Sequence, residues 1–390
     1  MLCTSDPFHS ENPQGYLNFG IAENHLMENW MLNYVNQVNP VSAEELQYFN
    51  LSGTQELRQS CKQFFARQFK LTDLDPTKFV IMNGLSSVCE CLSFSLFSKG
   101  DYLMIPTPYY SGFEFDFQKR FGVEFLKVPL TPENGFVHTI EPFIKAYDNF
   151  SDKSKIKAVL ITHPHNPTGE ILNEDFLREI IDFAKARNLE IVSDEIYALT
   201  SFDNQPHKSL LSFADGYEQH IHLLYGLAKD FTLAGLKVGI FYSENIELVQ
   251  AMNVLTYFHC TSSLTQSFTS RLLSDENFVS KFLIENNSRL KKTKNKLLQS
   301  LPEMEVYDGG SGLFFLCDFR KYLPAKSFAG EDELNKKLLN EYKIFLTSGV
   351  HLGVAEPGYF RLCFAKRDAE VDELILRLKK FFETAPTTDV

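Results

Sequence analysis

The chain has 390 residues, 44% of them hydrophobic and 23% charged, an ordinary balance for a folded chain with a sizeable core. Lys and Arg number 38 against 50 Asp and Glu, a net charge of −12 that argues against non-specific binding to nucleic acid or to an acidic membrane surface. At roughly 150 residues per domain, two or three units are expected, most simply one subunit of two domains.

Seven cysteines are an odd count, and no C-x-x-C pair accompanies a His cluster, so neither a disulfide framework nor a zinc site is expected. Met1-Leu2-Cys3 leads into Thr4-Ser5-Asp6 rather than a basic stretch followed by an apolar run, and no window holds 18 apolar residues. A soluble, cytoplasmic protein with reduced thiols is the expectation.

In chain order, the first 45 residues carry Asn-Pro and Gly breaks around one helical segment, 25–38, and read as an arm. From about 75 to 245, short apolar runs alternate with helical segments. Phe79–Met82, Tyr102–Ile105, Ala158–Thr162, Glu190–Ser193, His222–Tyr225 and Val238–Tyr242 read as strands, with helices at 86–98 and 174–187. Near-continuous apolar strands spaced by helices imply an α/β layer with a mainly parallel sheet. Beyond 245 come a long helical stretch over 264–300, short strands at Met304–Tyr307, Leu313–Asp318 and Tyr359–Phe364, and helices near 331–342 and 367–383. This pattern predicts a smaller α+β unit. The resulting division is an arm over 1–45 packing on the small domain, a large domain over 46–260 and a small domain over 261–390.

Ligands of open α/β sheets sit beyond the carboxyl ends of the strands, and four strands there end in polar signatures. Asn83-Gly84-Leu85-Ser86 opens a helix, where free N–H groups and the Ser86 hydroxyl suit an anion. His165-Asn166-Pro167-Thr168-Gly169 is a rigid turn that presents Asn166, with His163 and His165 as turn residues. Asp194 continues a buried strand and needs a cation or donor, with Tyr197 three residues on; Glu195 reads as a solvated or helix-capping neighbour. Lys229 lies just past a strand, where desolvation lowers an amine pKa and makes it nucleophilic. A lysine nucleophile, a buried acid, an amide, a phenol and an anion cradle together match pyridoxal 5'-phosphate (PLP). No G-x-G-x-x-G follows a strand, which argues against a nicotinamide dehydrogenase.

The same residues fall in motifs that run in order along nearly the whole chain. These are Gly20-Ile-Ala-Glu-Asn24, Tyr48-x4-Gly53-x3-Leu57-Arg58, Pro106-Thr-Pro-Tyr-Tyr110-Ser-Gly-Phe113, His165-Asn-Pro-Thr-Gly169, Ser193-Asp-Glu-Ile-Tyr197, Ala228-Lys-Asp230 and Phe360-Arg-Leu-Cys-Phe364. In them the chain resembles the class I/II aminotransferases of PLP fold type I, most of all their 1-aminocyclopropane-1-carboxylate (ACC) synthase-like branch. The resemblance implies a seven-stranded, mainly parallel sheet in the large domain and a homodimer with shared sites. It makes Lys229 the Schiff-base lysine, Asp194 the partner of the ring nitrogen, and Asn166 and Tyr197 the neighbours of the ring's phenolate oxygen. Tyr110, with Tyr109 as fallback, corresponds to the stacking aromatic. Leu85 and Ser86 correspond to phosphate ligands, Tyr48 to a tyrosine reaching the neighbouring subunit's cofactor, and Arg361 to the arginine gripping the substrate carboxylate. Glu23 and Asn166 join Arg361 on the substrate side. Two positions depart from the family: Gly226 stands where a serine is usual and Lys237 where an arginine is usual, both phosphate contacts.

The implied reaction is transamination between an α-amino acid and a 2-oxo acid through a lysine Schiff base and a substrate carbanion. The alternative is ACC synthase-type γ-elimination or γ-substitution on S-adenosylmethionine or a related amino acid. A PLP-fold protein that binds without catalysis is a third reading, opposed by the intact Lys229, Asp194 and Arg361.

Overall fold

A computed structural model describes residues 2–38, 41–202 and 206–386. The Asn39-Pro40 break of the arm lies outside the described residues. The strands are, in chain order, β1 (Leu17–Asn18), β2 (Phe79–Asn83), β3 (Tyr102–Thr107), β4 (Glu124–Pro129), β5 (Ile156–Thr162), β6 (Glu190–Asp194), β7 (Ile221–Gly226), β8 (Val238–Ser243), β9 (Glu305–Tyr307), β10 (Phe314–Asp318), β11 (Ile344–Phe345), β12 (Thr347–Ser348) and β13 (Tyr359–Cys363).

The strands of the central sheet are apolar at nearly every position because alternate side chains feed two separate cores. Phe79, Ile81, Met104, Val159, Ile161, Ile191, Leu223 and Ile240 point into one. Val80, Met82, Leu103, Ile105, Ala158, Leu160, Val192, Leu224 and Phe241 point into the other. Helices Gln55–Gln68, Ile140–Asn149 and Glu174–Lys185 cover the first face, and Leu85–Leu96 and Ile246–His259 the second. The resulting seven-stranded sheet has the order β2-β8-β7-β6-β5-β3-β4. All neighbours are parallel except β8, which runs antiparallel to both β2 and β7. The seventh strand, β4, is the one the apolar runs did not reveal. It is an edge strand with mostly exposed or half-buried side chains, so Glu124-Phe-Leu-Lys127 carries no continuous apolar stretch.

The second unit is a four-stranded sheet in the order β12-β13-β10-β9. Helices Phe328–Asn340 and Asp368–Thr384 pack on one face of it around Phe315, Phe360 and Leu362 and their neighbours. The arm joins it through β1, which pairs in parallel with β11 (Leu17 opposite Ile344). The arm's helix Glu28–Val38 instead places Met31 and Tyr34 in the first core of the large sheet. The helical stretch expected over 264–300 is two helices, Ser263–Ser274 and Glu276–Ser300. Asp275 breaks it: its carboxylate accepts from Phe278 N at 2.9 Å and caps the second helix, while its own N–H closes the first. That second helix contributes Val279 and Phe282 to the large-sheet core and Leu290 and Leu297 to the small one, fastening the units together.

Candidate active site

One edge of the central sheet gathers the carboxyl ends of β2, β5, β6 and β7. Because β8 is antiparallel, its amino end comes to the same edge, with Val238 opposite Asn83 and Gly239 opposite Gly226. A cavity of about 500 Å3 opens there. Leu85, Ser86, Tyr110 and Asn166 line it, as do Asp194, Tyr197, Lys229, Lys237 and Arg361. Residues spread over nearly 300 positions of sequence thus meet in one space.

Lys229 sits on a one-turn helix, Leu227–Asp230, directly after β7. Its Nζ donates to Ala22 O at 2.7 Å, and burial, reinforced by the nearby Arg361 guanidinium, lowers the amine to about 8. Asp194 ends β6 and is 5% exposed. Its carboxylate accepts the Ile196 N–H at 3.2 Å, and burial raises its pKa to about 7. A buried acid held by one backbone N–H and kept near neutrality by its surroundings is matched to a cationic ring nitrogen, whose charge would restore its ionised form. Tyr197 is also buried, and burial holds its phenol neutral well above the usual value, as a hydrogen-bond donor must be.

Arg361 crosses from β13 to meet Asn166. Its Nη1 donates to Asn166 Oδ1 at 2.9 Å and its Nη2 to Gly20 O at 2.7 Å, while its Nε is buried with no partner. The first bond fixes the Asn166 amide, since its oxygen is taken and its NH2 group is left free to donate. The orphaned Nε is a donor of the type an anionic substrate satisfies.

The Gly84 end of the cavity is built by close backbone approach. Gly84 caps helix Leu85–Leu96 with φ +88, a left-handed value that favours glycine. A Cβ on Gly239 would lie 2.5 Å from the Gly84 backbone, so the two glycines bring β8 against the helix start. The first N–H groups of that helix have no acceptor within it and face an anion site. The Lys237 stem runs beside Gly84, within 3.4 Å of the position a Cβ would take there, which brings its ammonium to the same end. At position 226, where the family usually has serine, a Cβ would meet Val238 O at 2.9 Å.

Tyr110 faces the cavity, whereas the Tyr109 ring is buried and its hydroxyl donates to Glu114 Oε1 at 3.0 Å. Two expected site residues lie outside the lining of the cavity. Tyr48 is fully exposed, and Glu23 faces His25 Nε2 at 3.6 Å at the rim. Glu195 is not solvated. It is fully buried and accepts from Ser193 Oγ at 2.8 Å, Ser209 Oγ at 3.0 Å and Leu210 N at 3.0 Å, with His207 Nε2 at 2.8 Å from its other oxygen. These partners replace the water it loses, which is what a buried carboxylate requires.

Asp116 was not among the residues expected at the site. It lies in the π-helical segment Glu114–Gln118, lines the cavity, and bonds the Ser86 side chain. Burial raises its carboxyl to about 7. An acid between two phenylalanines was the available signal, since such a position is expensive unless a partner waits inside. Thr347 and His351 also line the cavity, from the segment after β11.

A family model described as aminotransferase class I and II matches residues 16–378. The chain belongs to that family. The ACC synthase of Nicotiana tabacum is 32% identical, over 97% of this chain and 81% of its own length. ACC synthase 6 of Arabidopsis thaliana is also 32% identical, over 97% and 80%. Among solved structures, a double mutant of Thermus thermophilus aspartate aminotransferase superposes with a TM-score of 0.80 at 21% identity, covering 94% of this chain and 91% of that one. An aromatic aminotransferase from Pyrococcus horikoshii gives 0.82 at 20%, covering 95% and 96%. The fold of this class I/II aminotransferase-family chain is therefore PLP fold type I, and its cofactor is PLP. The donor set agrees: a low-pKa lysine, a buried acid, two neutral donors and a helix-start anion site converge on one cavity.

Proposed function

We propose that the chain is a transaminase acting on an α-amino acid and a 2-oxo acid, with Lys229 as the residue that carries the cofactor and moves the substrate α-proton. The observation that supports this most is the Lys229 amine itself, buried in the cavity and lowered to about 8, so that a usable fraction is unprotonated near neutral pH. When bound, PLP supplies an electron-accepting ring for the charge left at the substrate α-carbon. With PLP bound, Asp194 would hold a proton at the ring nitrogen, and the Asn166 amide and Tyr197 hydroxyl would donate to the ring's phenolate oxygen. Tyr110 would supply an aromatic face for the ring. Leu85 N–H, Ser86 and Lys237 hold the phosphate, and Arg361 takes the substrate carboxylate with its unpartnered Nε. Tyr48, fully exposed on one protomer, reaches the phosphate of a second copy, making a homodimer with shared sites. All seven cysteines are unpaired, in keeping with a reducing, cytoplasmic setting. No helix among the described residues is long and apolar enough to cross a membrane.

A second reading, ACC synthase-type γ-elimination on S-adenosylmethionine, is favoured by the two plant relatives at 32% identity. Glu23, the acid of the motif that marks that branch, faces His25 at 3.6 Å and lies close enough to Lys229 to act on its amine. Adding single amino acids to the PLP-loaded protein separates the two. Transamination leaves pyridoxamine phosphate and a 2-oxo acid after one half-reaction. A spectrum that returns to its starting form with release of methylthioadenosine from S-adenosylmethionine would replace the first reading by the second.

A further inference from the structure

Behind the cavity wall, His138, His165 and Glu170 bring ligating atoms within 4.8 Å of one another. A metal is not the best account of them, because both nitrogens of His165 are already engaged. Nε2 lies 2.9 Å from Pro108 O and Nδ1 lies 2.8 Å from Thr168 Oγ1, both buried. A carbonyl only accepts, so Nε2 carries the proton, and in the neutral ring Nδ1 accepts from the Thr168 hydroxyl. Burial keeps that ring neutral, well below the ordinary histidine value. His138 Nδ1 donates to Glu170 Oε2 at 2.6 Å, and its ring stands edge-on to His165 with centroids 4.5 Å apart, closing the other side.

His165 joins two separate segments that line the site. Asn166 is its chain neighbour on the turn after β5. Pro108 immediately precedes Tyr109-Tyr110 on the loop after β3. The same loop is tied on its far side by Tyr109 N–H to Leu352 O at 2.8 Å, next to His351. The His165 ring is thus a strut of fixed length between the wall that presents Asn166 and the wall that presents Tyr110.

We propose that His165 is a positioning residue: held as the Nε2–H tautomer by Pro108 O and braced at Nδ1 by the Thr168 hydroxyl, it sets the spacing between Asn166 and Tyr110 and so the seating of the cofactor ring between them. This rests on the assignment of Asn166 and Tyr110 to the cofactor. Losing the strut moves two walls at once, and misplacement of the order of an ångström is costly in preorganised sites.

The test compares His165→Phe, His165→Gln, Thr168→Val and Asn166→Ala in the PLP-loaded protein. PLP affinity and the visible circular dichroism of the bound cofactor are read, with apoprotein Tm as the folding control. His165→Phe keeps a ring and loses the donor; it should weaken PLP roughly tenfold or more and diminish the dichroic band. His165→Gln, whose amide can still donate to Pro108 O, should recover affinity to within about threefold of wild type. Thr168→Val removes the hydroxyl that braces Nδ1 and should shift the band in the same direction, which keeps the test decisive if His165→Phe does not fold. Wild-type affinity and dichroism in either His165→Phe or Thr168→Val would overturn the inference while leaving the site assignment standing. An unchanged spectrum in Asn166→Ala would overturn the assignment, and this inference with it.

Discussion

Asp194 illustrates how a residue can oppose folding and serve the site. In the unfolded chain its carboxyl titrates near 3.8, and in the folded apoprotein at about 7. Between those values the folded state binds the extra proton. The neutral carboxyl is therefore well tolerated below about 3.8, and stability is lost as pH rises towards and through 7. Asp194→Asn removes that burden, because an amide oxygen can still accept the Ile196 N–H without a charge to bury. The apoprotein of this variant should melt a few degrees above wild type at pH 8, on the order of 1 kcal/mol or more, and the gap should close at pH 4. Catalysis should fall instead, because the ring nitrogen loses its anion. An equal or lower apoprotein Tm at pH 8 would mean that Asp194 is not a strained acid. The place of Asp194, Asn166 and Lys229 at the cavity was legible in the sequence because each lies at, or within a few residues of, the end of a buried strand. Glu195 was misread because it shares that position in sequence while pointing the opposite way. Only the fold shows the Ser193, Ser209 and His207 groups that surround it.

At the scale of elements, the anion end depends on three backbones meeting at Gly84, Gly226 and Gly239. Restoring the family's usual serine at 226 adds a Cβ 2.9 Å from Val238 O, a rigid neighbour. Gly226→Ser should therefore lower the apoprotein Tm by several degrees, about 1–3 kcal/mol, rather than repair a missing phosphate contact. An unchanged Tm with tighter PLP binding would show that the strand pair yields easily. The elements of the central sheet were readable wherever both faces are buried, since β2, β3, β5, β6, β7 and β8 are apolar at consecutive positions. Strand β4 escaped because an edge strand obeys no such pattern. Asp275 hid the break in the 264–300 stretch because a single capping acid resembles the exposed face of a continuous helix.

Across the whole molecule, the site is assembled from the arm through Gly20 and Ala22, the large sheet through Lys229 and Asp194, and the small sheet through Arg361. Length and the change of pattern beyond 245 are the sequence signals for two units. The meeting of Asn166 with Arg361, 195 positions apart, is a product of the three-dimensional packing. A second copy is expected to complete the site with Tyr48. Tyr48→Phe should weaken PLP roughly tenfold, by loss of a hydroxyl donated to a charged phosphate. Mixing Tyr48→Phe with Lys229→Ala subunits should restore one tight site per mixed dimer, measured by PLP titration. No recovery on mixing would place Tyr48 outside its neighbour's site.

The most direct measurement is to reduce the PLP-loaded protein with borohydride and locate the pyridoxyl group by peptide mass spectrometry. The account predicts one modified residue, Lys229, and no visible band or modification in Lys229→Ala. A pyridoxyl group on Lys237, Lys366 or any other lysine in the wild-type protein would contradict it.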